Sequence, residues 1–430
     1  MRVLYNILLW IAAIPGLLFF LLKMLITGKY RHSFLQKLGA RQKYLLSDIG
    51  AGKRIWIHAV SVGEVTAAAP IVAAIKKRRP DMRIIFSTST EAGQGMAHRL
   101  VTGVDAFIYF PLDISFAVHQ MLNLVRPDVF VLVETELWPN FMASCHARSI
   151  KVVMVNGRIS PRSFMKYCHT RFFWKRILQY LDVAGMITNV DADRIRRIGL
   201  NASKISVLGN AKYDALAAMV SPRLHEDIVR SFNARSDEKF LVAGSTHPGE
   251  EDAVIHVYRE LLKRYPDFKL IMVPRHVERS KDVMARLGQA DFRDVITVSQ
   301  MRNGQVRGQE RVIVVDVIGE LFKVYSLATI VYCGGSLVPK GGQNILEAAA
   351  WGKVIFYGPS MEDFSEEAAL LEDVGAGIRV ADARELLNGV LQLLADPQDL
   401  LMRGENGRVV VRANMGAAAR YAEMIVKNSD

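Results

Sequence analysis

The stretch RIWIHAVSVGE, residues 54–64, decides the class of fold. It begins with a short β-forming run, passes through a turn, and enters an alanine-rich helical stretch over residues 65–77. A strand, a turn and a helix in this order are typical of a parallel α/β sheet. Such sheets bind ligands at the carboxyl ends of their strands. We therefore expect Gly63 to let a ligand approach the backbone and Glu64 to project into the crevice.

Two roles fit Glu64 at this position. A lone carboxylate at the ligand-binding edge is a candidate general base that takes a proton from an attacking hydroxyl. A glutamate in the first turn of a helix is also favoured by the helix dipole, without any catalytic purpose. The position alone leaves both roles open.

Alternating β-rich runs and helical patterns continue on both sides of a junction near residues 210–235. The pattern predicts two Rossmann-like halves. The predicted strands are Ile55–Val60, Ile84–Thr88, Ala106–Phe110, Val129–Val133, Val152–Val155, Met186–Thr188, Phe240–Ala243, Leu270–Val273, Val312–Val315, Thr329–Tyr332 and Val354–Tyr357. The predicted divisions are an anchor over 1–25, a first domain over 26–215, a second over 216–407 and a helix crossing back over 408–430.

The composition of the chain limits the classes of molecule that we expect it to bind. The chain has 430 residues, more than a single domain with one hydrophobic core usually contains. Its 55 Lys and Arg against 43 Asp and Glu leave a net charge of +12. A basic protein attracts nucleic acid, acidic lipid or phosphorylated metabolites. No basic block is interleaved with aromatic residues, so we expect no nucleic-acid partner. The three cysteines lack CxxC spacing, which favours reduced structural cysteines and no zinc.

The N-terminus resembles a membrane segment. Residues 3–22 are almost wholly apolar, apart from Tyr5, Asn6 and the Pro15-Gly16 pair, and this is about the length that crosses a bilayer. Basic residues follow, with no acid before Asp48, which predicts a cytoplasmic flank able to hold acidic headgroups. A cleaved signal peptide is disfavoured because no small-residue cleavage site follows. We expect a retained anchor, spanning or interfacial.

The second half contains a glycine-rich candidate site. The triplet GGS at 334–336 and the pair GG at 341–342 precede QNILE at 343–347, which opens an alanine-rich helix. Glycines before a helix can offer backbone N–H groups to a phosphate, and Glu347 can accept hydrogen bonds from a ribose. Asn344 and Glu347 also fit a capping pair. The two interpretations are compatible.

Two other strand ends in this half carry candidate ligand contacts. Pro274-Arg275 ends one strand, and an arginine there can bind phosphate in a bidentate manner. Ile318-Gly319-Glu320 starts a helix at the same edge. No G-x-G-x-x-G follows a first strand and no P-loop exists, which argues against nicotinamide and ATPase chemistry.

The first half adds acids and bases at strand ends. Glu136 lies in ETELWPN at 134–140, Arg158 follows the next strand, and Lys212 lies near the junction. Asp191 and Asp193 form a D-x-D pair, but they begin a helix, so capping explains them and we expect no metal.

Together these strings resemble the Kdo transferases of lipopolysaccharide assembly, which move 3-deoxy-D-manno-octulosonic acid (Kdo) from CMP-Kdo to a lipid A precursor. The resemblance spans the whole chain. It rests on H-A-V-S-V-G-E, S-T-S-T at 87–90, E-T-E-L-W-P-N, N-G-R-I-S, L-G-N-A-K-Y-D, G-S-T-H-P-G-E-E, V-P-R-H, I-G-E and G-G-S-L…G-G-Q-N-I-L-E-A, in this order. Each string is weak alone, and the ordered set is highly specific.

The resemblance implies a GT-B fold, two Rossmann-like domains facing a cleft, with the acceptor on the first and the nucleotide sugar on the second. It implies that Glu64 is the catalytic base. It also implies a CMP site lined by Pro274, Arg275, Ile318, Gly319, Glu320, Asn344, Ile345, Leu346 and Glu347. Many members carry histidine where this chain has Gln343. Further candidate contacts to the substrates are Ser61, Gly63, Glu136, Arg158, Lys212, Gly335, Ser336 and Gly342.

The implied reaction inverts the anomeric carbon, with lipid IVA as acceptor and no cofactor or metal. The implied location is the cytoplasmic face of the cell inner membrane. Two alternatives remain open: a GT-B-like nucleotide-sugar epimerase, and a membrane-tethered nucleotide-sugar-binding protein that performs no transfer.

Overall fold

The structure is a computed structural model that describes residues 5–7, 9, 11, 36–37 and 49–429. The predicted anchor over 1–25 therefore lies, except for residues 5–7, 9 and 11, outside the described residues. Within the described part of the chain, no helix has both the length and the apolar character needed to cross a membrane.

The chain divides into two compact units. Unit 1 consists of residues 1–215 and 414–430, and unit 2 of residues 216–413. Each is a separate parallel sheet flanked by helices, which confirms the predicted α/β class. The boundary falls within the helix Ala211–Met219.

Unit 1 is built on a sheet in the order β3-β2-β1-β4-β5-β6-β7, in which every pairing is parallel. Its strands are β1 Arg54–His58, β2 Arg83–Thr88, β3 Ala106–Tyr109, β4 Val129–Val133, β5 Lys151–Gly157, β6 Val183–Met186 and β7 Ile205–Val207. Its helices are α1 Val62–Arg78, α2 Glu91–Leu100, α3 Ser115–Val125, α4 Pro139–His146, α5 Pro161–His169, α6 Arg171–Leu178, α7 Asn189–Ile198 and α8 Ala211–Met219, with a 3₁₀ turn at Ala202–Lys204.

Local sequence explains the centre of this unit. Strand β4 reads VFVLV and is buried at every position, as expected for a parallel strand covered by helices on both faces. Its side chains alternate between two apolar clusters, with Phe130 in one and Val131 in the other. Helix α1 starts at Ser61, whose hydroxyl accepts a hydrogen bond from the Glu64 N–H, a standard N-cap. The strand-turn-helix order thus brings Glu64 to the carboxyl end of β1.

Unit 2 repeats the architecture with the order β10-β11-β9-β8-β12-β13-β14, again parallel. Its strands are β8 Lys239–Thr246, β9 Phe268–Pro274, β10 Val295–Thr297, β11 Val312–Val314, β12 Ala328–Cys333, β13 Ile355–Tyr357 and β14 Gly377–Arg379. Its helices are α9 Pro222–Ser231, α10 Glu251–Leu262, α11 Ser280–Gln289, α12 Val298–Arg302, α13 Leu321–Tyr325, α14 Leu346–Ala350, α15 Ser365–Asp373, α16 Ala383–Ala395 and α17 Pro397–Ala413, with 3₁₀ turns at Val277–Arg279 and Glu362–Phe364.

The C-terminal stretch differs from the single helix predicted over 408–430. Helix α17 ends at Ala413 in unit 2, and α18, Ala417–Ser429, belongs to unit 1. Gly416 breaks the run because it adopts φ +92°, which favours glycine, and its N–H donates to Asp214 Oδ1 at 2.7 Å. The Tyr421 hydroxyl then donates to the Gly209 carbonyl at 2.7 Å, which fastens α18 to unit 1.

Candidate functional site

Glu64 lies at the carboxyl edge of the unit 1 sheet, in the first turn of α1. Its side chain is only 6% exposed. One carboxylate oxygen accepts the Val60 N–H at 2.7 Å, and the other accepts the Ser61 hydroxyl at 2.8 Å. The capping interpretation is therefore confirmed. These two bonds also fix the orientation of the carboxylate, so capping does not compete with a chemical role.

The surroundings of Glu64 disfavour its charge. Burial, aided by the negative charges of Glu134 and Glu136 and opposed by the two hydrogen bonds, raises the pKa of Glu64 to about 7. A carboxylate with a pKa in this range can accept a proton near neutral pH and hold it through the step that follows.

A cation lies beside this carboxylate group. Glu134, in the left-handed region with φ +60° directly after β4, accepts a hydrogen bond from Lys212 Nζ at 2.8 Å. A Cβ built on Gly63 would lie 3.9 Å from the same Nζ, so Lys212 reaches the exposed start of α1. Gly63, Glu64, Glu134 and Lys212 therefore share one edge of unit 1, as the prediction from strand ends requires.

The position of Lys212 depends on the adjacent strand end. Asn156, fully buried with φ +52° in β5, accepts the Ala211 N–H at 2.9 Å through Oδ1. This bond fixes the start of α8, on which Lys212 lies. Arg158 is exposed just beyond β5, and its carbonyl accepts the Thr135 hydroxyl. Burial and the charge of Glu134 raise the pKa of the half-buried Glu136.

Unit 2 has a cavity of about 300 Å³ at the carboxyl edge of its sheet. Its lining includes four predicted donor residues, namely Pro274, Arg275, Ile318 and Gly319. Ile318 is 80% exposed, an unusual state for a large apolar side chain, and lines the same cavity as Arg275. Gly319 adopts φ +92°, and a Cβ there would meet nothing within 4 Å.

Glu320 has a different environment. Its carboxylate is mostly buried and is paired with Arg302 at 2.7 Å and Lys323 at 3.2 Å. It does not line the cavity. The structure therefore gives Glu320 an ion-pairing role at the start of α13.

The loop before α14 combines packing with one polar pair. Ile345 and Leu346 are buried, so their side chains serve the core. Asn344 donates to Glu347 Oε1 at 3.1 Å and accepts the Leu346 N–H at 3.2 Å. Burial raises the pKa of Glu347 to about 7, opposed by Asn344 and by the positive charge of Arg275. Arg275 and Glu347, which belong to two separate predicted motifs, are thus near enough for the charge of Arg275 to act on Glu347.

Sequence reasoning did not find Glu250. This fully buried carboxylate accepts the backbone N–H groups of His247, Gly335, Ser336 and Leu337 and the Tyr332 hydroxyl, at 2.8–3.0 Å. Such a row of N–H groups is an anion-binding arrangement, and the anion bound here is the Glu250 carboxylate. The N–H groups of Gly335 and Ser336 are therefore not available to a phosphate. Glu250 could have been identified from the string GSTHPGEE, in which it is an acid shortly after the end of a strand.

The neighbouring glycines are required for close packing. Gly342 adopts φ +81°, and a Cβ there would come within 2.5 Å of the Met361 sulfur. The Gln343 side chain covers Gly335, since a Cβ on Gly335 would lie 3.3 Å from its Cγ and Nε2. Gln343 thus closes the loop over the turn that Glu250 holds.

The two acids of the D-x-D pair have different environments, and only Asp191 lies in the first turn of α7. Asp191 is buried and accepts the Ile159 N–H at 2.8 Å and the Thr188 hydroxyl at 2.7 Å. Asp193 pairs with Arg196 at 2.5 Å on the surface of the same helix.

Comparisons with known proteins identify the family of this chain. Residues 31–215 match the family model for 3-deoxy-D-manno-octulosonic-acid transferase (kdotransferase). A 3-deoxy-D-manno-octulosonic acid transferase of Haemophilus influenzae is 30% identical over 99% of this chain and 98% of its own length. Another, from Chlamydophila psittaci, is 30% identical over 92% of this chain and 89% of its own.

Among solved structures, a UDP-GlcNAc 2-epimerase from Neisseria meningitidis superposes with a TM-score of 0.60, covering 88% of this chain and 99% of its own. At 14% identity this likeness shows the fold alone, the GT-B type with two parallel-sheet α/β units. The two transferases match nearly the whole chain at a level that shows kinship. The chain belongs to the family of 3-deoxy-D-manno-octulosonic acid transferases and is a glycosyltransferase of that kind.

Proposed function

We propose that this enzyme transfers Kdo from CMP-Kdo to a hydroxyl of a lipid A precursor, lipid IVA, in lipopolysaccharide biosynthesis, with Glu64 as the general base. The observation that carries the proposal is the state of Glu64: a carboxylate held by Val60 and Ser61, mostly buried, with a pKa raised to about 7. A base for a sugar hydroxyl needs this combination of fixed orientation and raised basicity.

In the proposed step, Glu64 accepts the proton of the acceptor hydroxyl while the hydroxyl oxygen attacks the anomeric carbon of Kdo. The bond between that carbon and the phosphate oxygen breaks, and CMP leaves with the bonding electrons. The attack comes from the side opposite the leaving group, so the anomeric configuration inverts. The proton remains on Glu64 until CMP has left, which the raised pKa permits.

The donor is proposed to bind at the cavity of unit 2. The Arg275 guanidinium can hold the single phosphate of CMP in a bidentate manner and stabilise the charge that develops as CMP leaves. Ile318 offers an apolar face to the base, and Glu347 can accept hydrogen bonds from the ribose. Because one phosphate carries less charge than a pyrophosphate, we propose that no metal or cofactor is needed.

The acceptor is proposed to bind at the carboxyl edge of unit 1. Lys212 and the exposed Arg158 provide positive charge for an anionic sugar headgroup, beside Glu64 and Glu136. Gly63 leaves the start of α1 open on this side.

A lipid acceptor also accounts for the N-terminal sequence. We propose that the apolar run over 3–22 is an interfacial membrane anchor, because Tyr5 and Asn6 at its start contact unit 1, on the same side of the membrane as the basic residues after it. Those basic residues then lie against acidic headgroups. The catalytic units then act at the cytoplasmic face of the inner membrane, where the acyl chains of the acceptor are held.

Incubation with CMP-Kdo and lipid IVA, followed by mass analysis, tests the function directly. The expected product is heavier than lipid IVA by the mass of one or more Kdo units, and the mass difference gives their number. In the Glu64→Gln variant, transfer should fall by roughly two to four orders of magnitude, the usual contribution of a general base. Transfer by the variant at the native rate would remove Glu64 from the mechanism. Release of an epimerised sugar, or CMP-Kdo binding without transfer, would instead support the two alternative functions.

A further inference from the structure

Tyr5 and Asn6, near the N-terminus, are hydrogen-bonded to the interior of unit 1. The Tyr5 hydroxyl donates to Asp113 Oδ2 at 2.9 Å. Asn140 Nδ2 donates to Asn6 Oδ1 at 2.6 Å. Tyr5 and Asn6 are also the first polar interruptions of the apolar run. Their polar atoms are therefore used for docking onto the catalytic unit.

Both contacts meet at the start of helix α4. Asp113, 5% exposed, accepts the N–H groups of Asn140 and Phe141 at 3.0 and 2.8 Å, and so caps this helix from another part of the chain. The helix needs this cap because Trp138, at the N-cap position, makes no side-chain capping bond. Asn140 is fully buried and donates its Nδ2 to the Asp113 carbonyl at 2.7 Å as well.

The start of α4 is one of the two fixed ends of the loop over residues 134–138. The other end is held by the Glu134 N–H, which donates to the Val155 carbonyl at 2.9 Å. This loop carries Glu134, the partner of Lys212, and Glu136. A shift at the start of α4 therefore moves Glu134 and Glu136, whose charges act on Glu64.

The Tyr5 ring has a separate packing contact. It lies 5.8 Å, centroid to centroid, from Phe173 of α6. Replacement of Tyr5 by phenylalanine keeps this contact and removes only the hydroxyl. The hydrogen bond and the packing can thus be tested separately.

We propose that Tyr5 and Asn6 are positioning residues of the acceptor site, which hold the start of α4 and, through it, the loop over residues 134–138. They then act on catalysis by direct contact with the catalytic unit, in addition to any attachment of the chain to a membrane. This inference rests on the proposed function, because it assumes that the lipid acceptor binds beside this loop.

The test uses the full chain with the substitutions Tyr5→Phe, Asn6→Ala and both together, assayed with lipid IVA and CMP-Kdo once in detergent and once in phospholipid vesicles. We expect the KM for lipid IVA to rise roughly fivefold for each single substitution, as expected for one lost hydrogen bond, with the KM for CMP-Kdo unchanged. Asn123→Ala is the matched control for the loss of an asparagine side chain, since Asn123 is exposed on α3 of the same unit; its KM values should stay native. Sedimentation with phosphatidylethanolamine and phosphatidylglycerol vesicles should be native for all variants.

Three outcomes would overturn the inference. A native KM for lipid IVA in the double variant would separate these contacts from the acceptor site, and equal changes in both KM values would indicate a general loss of structure. A loss of activity that follows the loss of vesicle binding and disappears in detergent would indicate that these residues act only in membrane attachment. The Glu64→Gln variant, run in parallel, tests the proposed function independently. Full activity there would refute the base, whereas an inactive Glu64→Gln beside a native double variant would refute the positioning role alone.

Discussion

Lys212 Nζ lies 2.8 Å from Glu134 Oε1, and the same ammonium group reaches within about 4 Å of where a side chain on Gly63 would begin. Glu134 and Glu136 both act electrostatically on Glu64. Through its bond to Glu134, Lys212 adds one positive charge to this group of three carboxylates. The balance of charge at this edge therefore depends on Lys212.

Lys212→Met should leave Glu134 without its partner. The unbalanced negative charge disfavours ionisation of Glu64, so the acid limb of the kcat/KM profile should move to higher pH. Glu134→Gln removes a negative charge and should move the limb to lower pH. Lys77→Met, at the exposed end of the same helix α1, serves as the control. Shifts of the same sign in both site variants would contradict this electrostatic account.

The activity of the native enzyme should itself depend on Glu64 ionisation. A general base must be deprotonated before it acts, and the pKa of Glu64 is raised to about 7. We therefore expect kcat/KM to fall about tenfold per pH unit below pH 7 and to level off above it. In Glu64→Gln the residual rate should lose this limb. A residual rate with the native pH profile would assign the limb to another group.

The central strands were predictable, because burial on both faces demands long apolar runs such as β4. The three strands that sequence reasoning missed, β7, β10 and β14, each have three residues and lie at the edges of the two sheets. An edge strand needs less apolar surface, as Ile205-Ser206-Val207 illustrates, so its sequence resembles a loop. Strand β6 starts at Val183, three residues before the predicted Met186.

The sequence predicts a site residue correctly where its place just after a strand end determines that it lies at the edge of the sheet. Glu64, Arg275 and Gly319 follow strand ends, and the sheet brings them to an edge. The partners of a buried carboxylate are not determined in this way. Glu250 bonds to residues more than 80 positions away, and Glu320 is paired with Arg302. Such choices depend on tertiary packing, which residue type and spacing do not reveal.

Arg275→Ala should weaken CMP binding roughly 10- to 100-fold, the range expected for the loss of charge-assisted hydrogen bonds to a phosphate. Arg275→Lys should recover part of this affinity, since it restores the charge without the bidentate geometry. Arg293→Ala, an exposed arginine of the same unit, is the matched control. Calorimetric titration with CMP measures all three. Native affinity in Arg275→Ala would exclude this residue from the donor site.

Glu250→Gln should destabilise unit 2, because the amide keeps the shape of the carboxylate but presents an NH₂ group to N–H donors. At least one buried N–H would lose its acceptor, at a cost of about 2–3 kcal/mol in the free energy of unfolding. Glu226→Gln, an exposed residue of α9, should leave stability native. Urea denaturation monitored by circular dichroism compares the two. Equal stability would mean that the turn over 335–337 is held by its glycine geometry rather than by the carboxylate.

Arg307 and Glu238 form a buried ion pair that fixes the segment after α12 to the start of β8. Their side chains are 1% and 3% exposed, and Arg307 Nη2 lies 2.6 Å from Glu238 Oε1. Arg307→Met leaves the buried Glu238 carboxylate with the more distant Arg235 guanidinium, at 3.8 Å, in place of its close partner, and should lower the free energy of unfolding by about 3–5 kcal/mol. The double variant Arg307→Met/Glu238→Leu should recover much of that loss, because it leaves no buried charge unpaired. Arg223→Met, on the exposed face of α9, is the control for loss of an arginine. A double variant less stable than Arg307→Met would show that Glu238 is stabilised mainly by other groups, such as the Arg235 N–H at 3.0 Å.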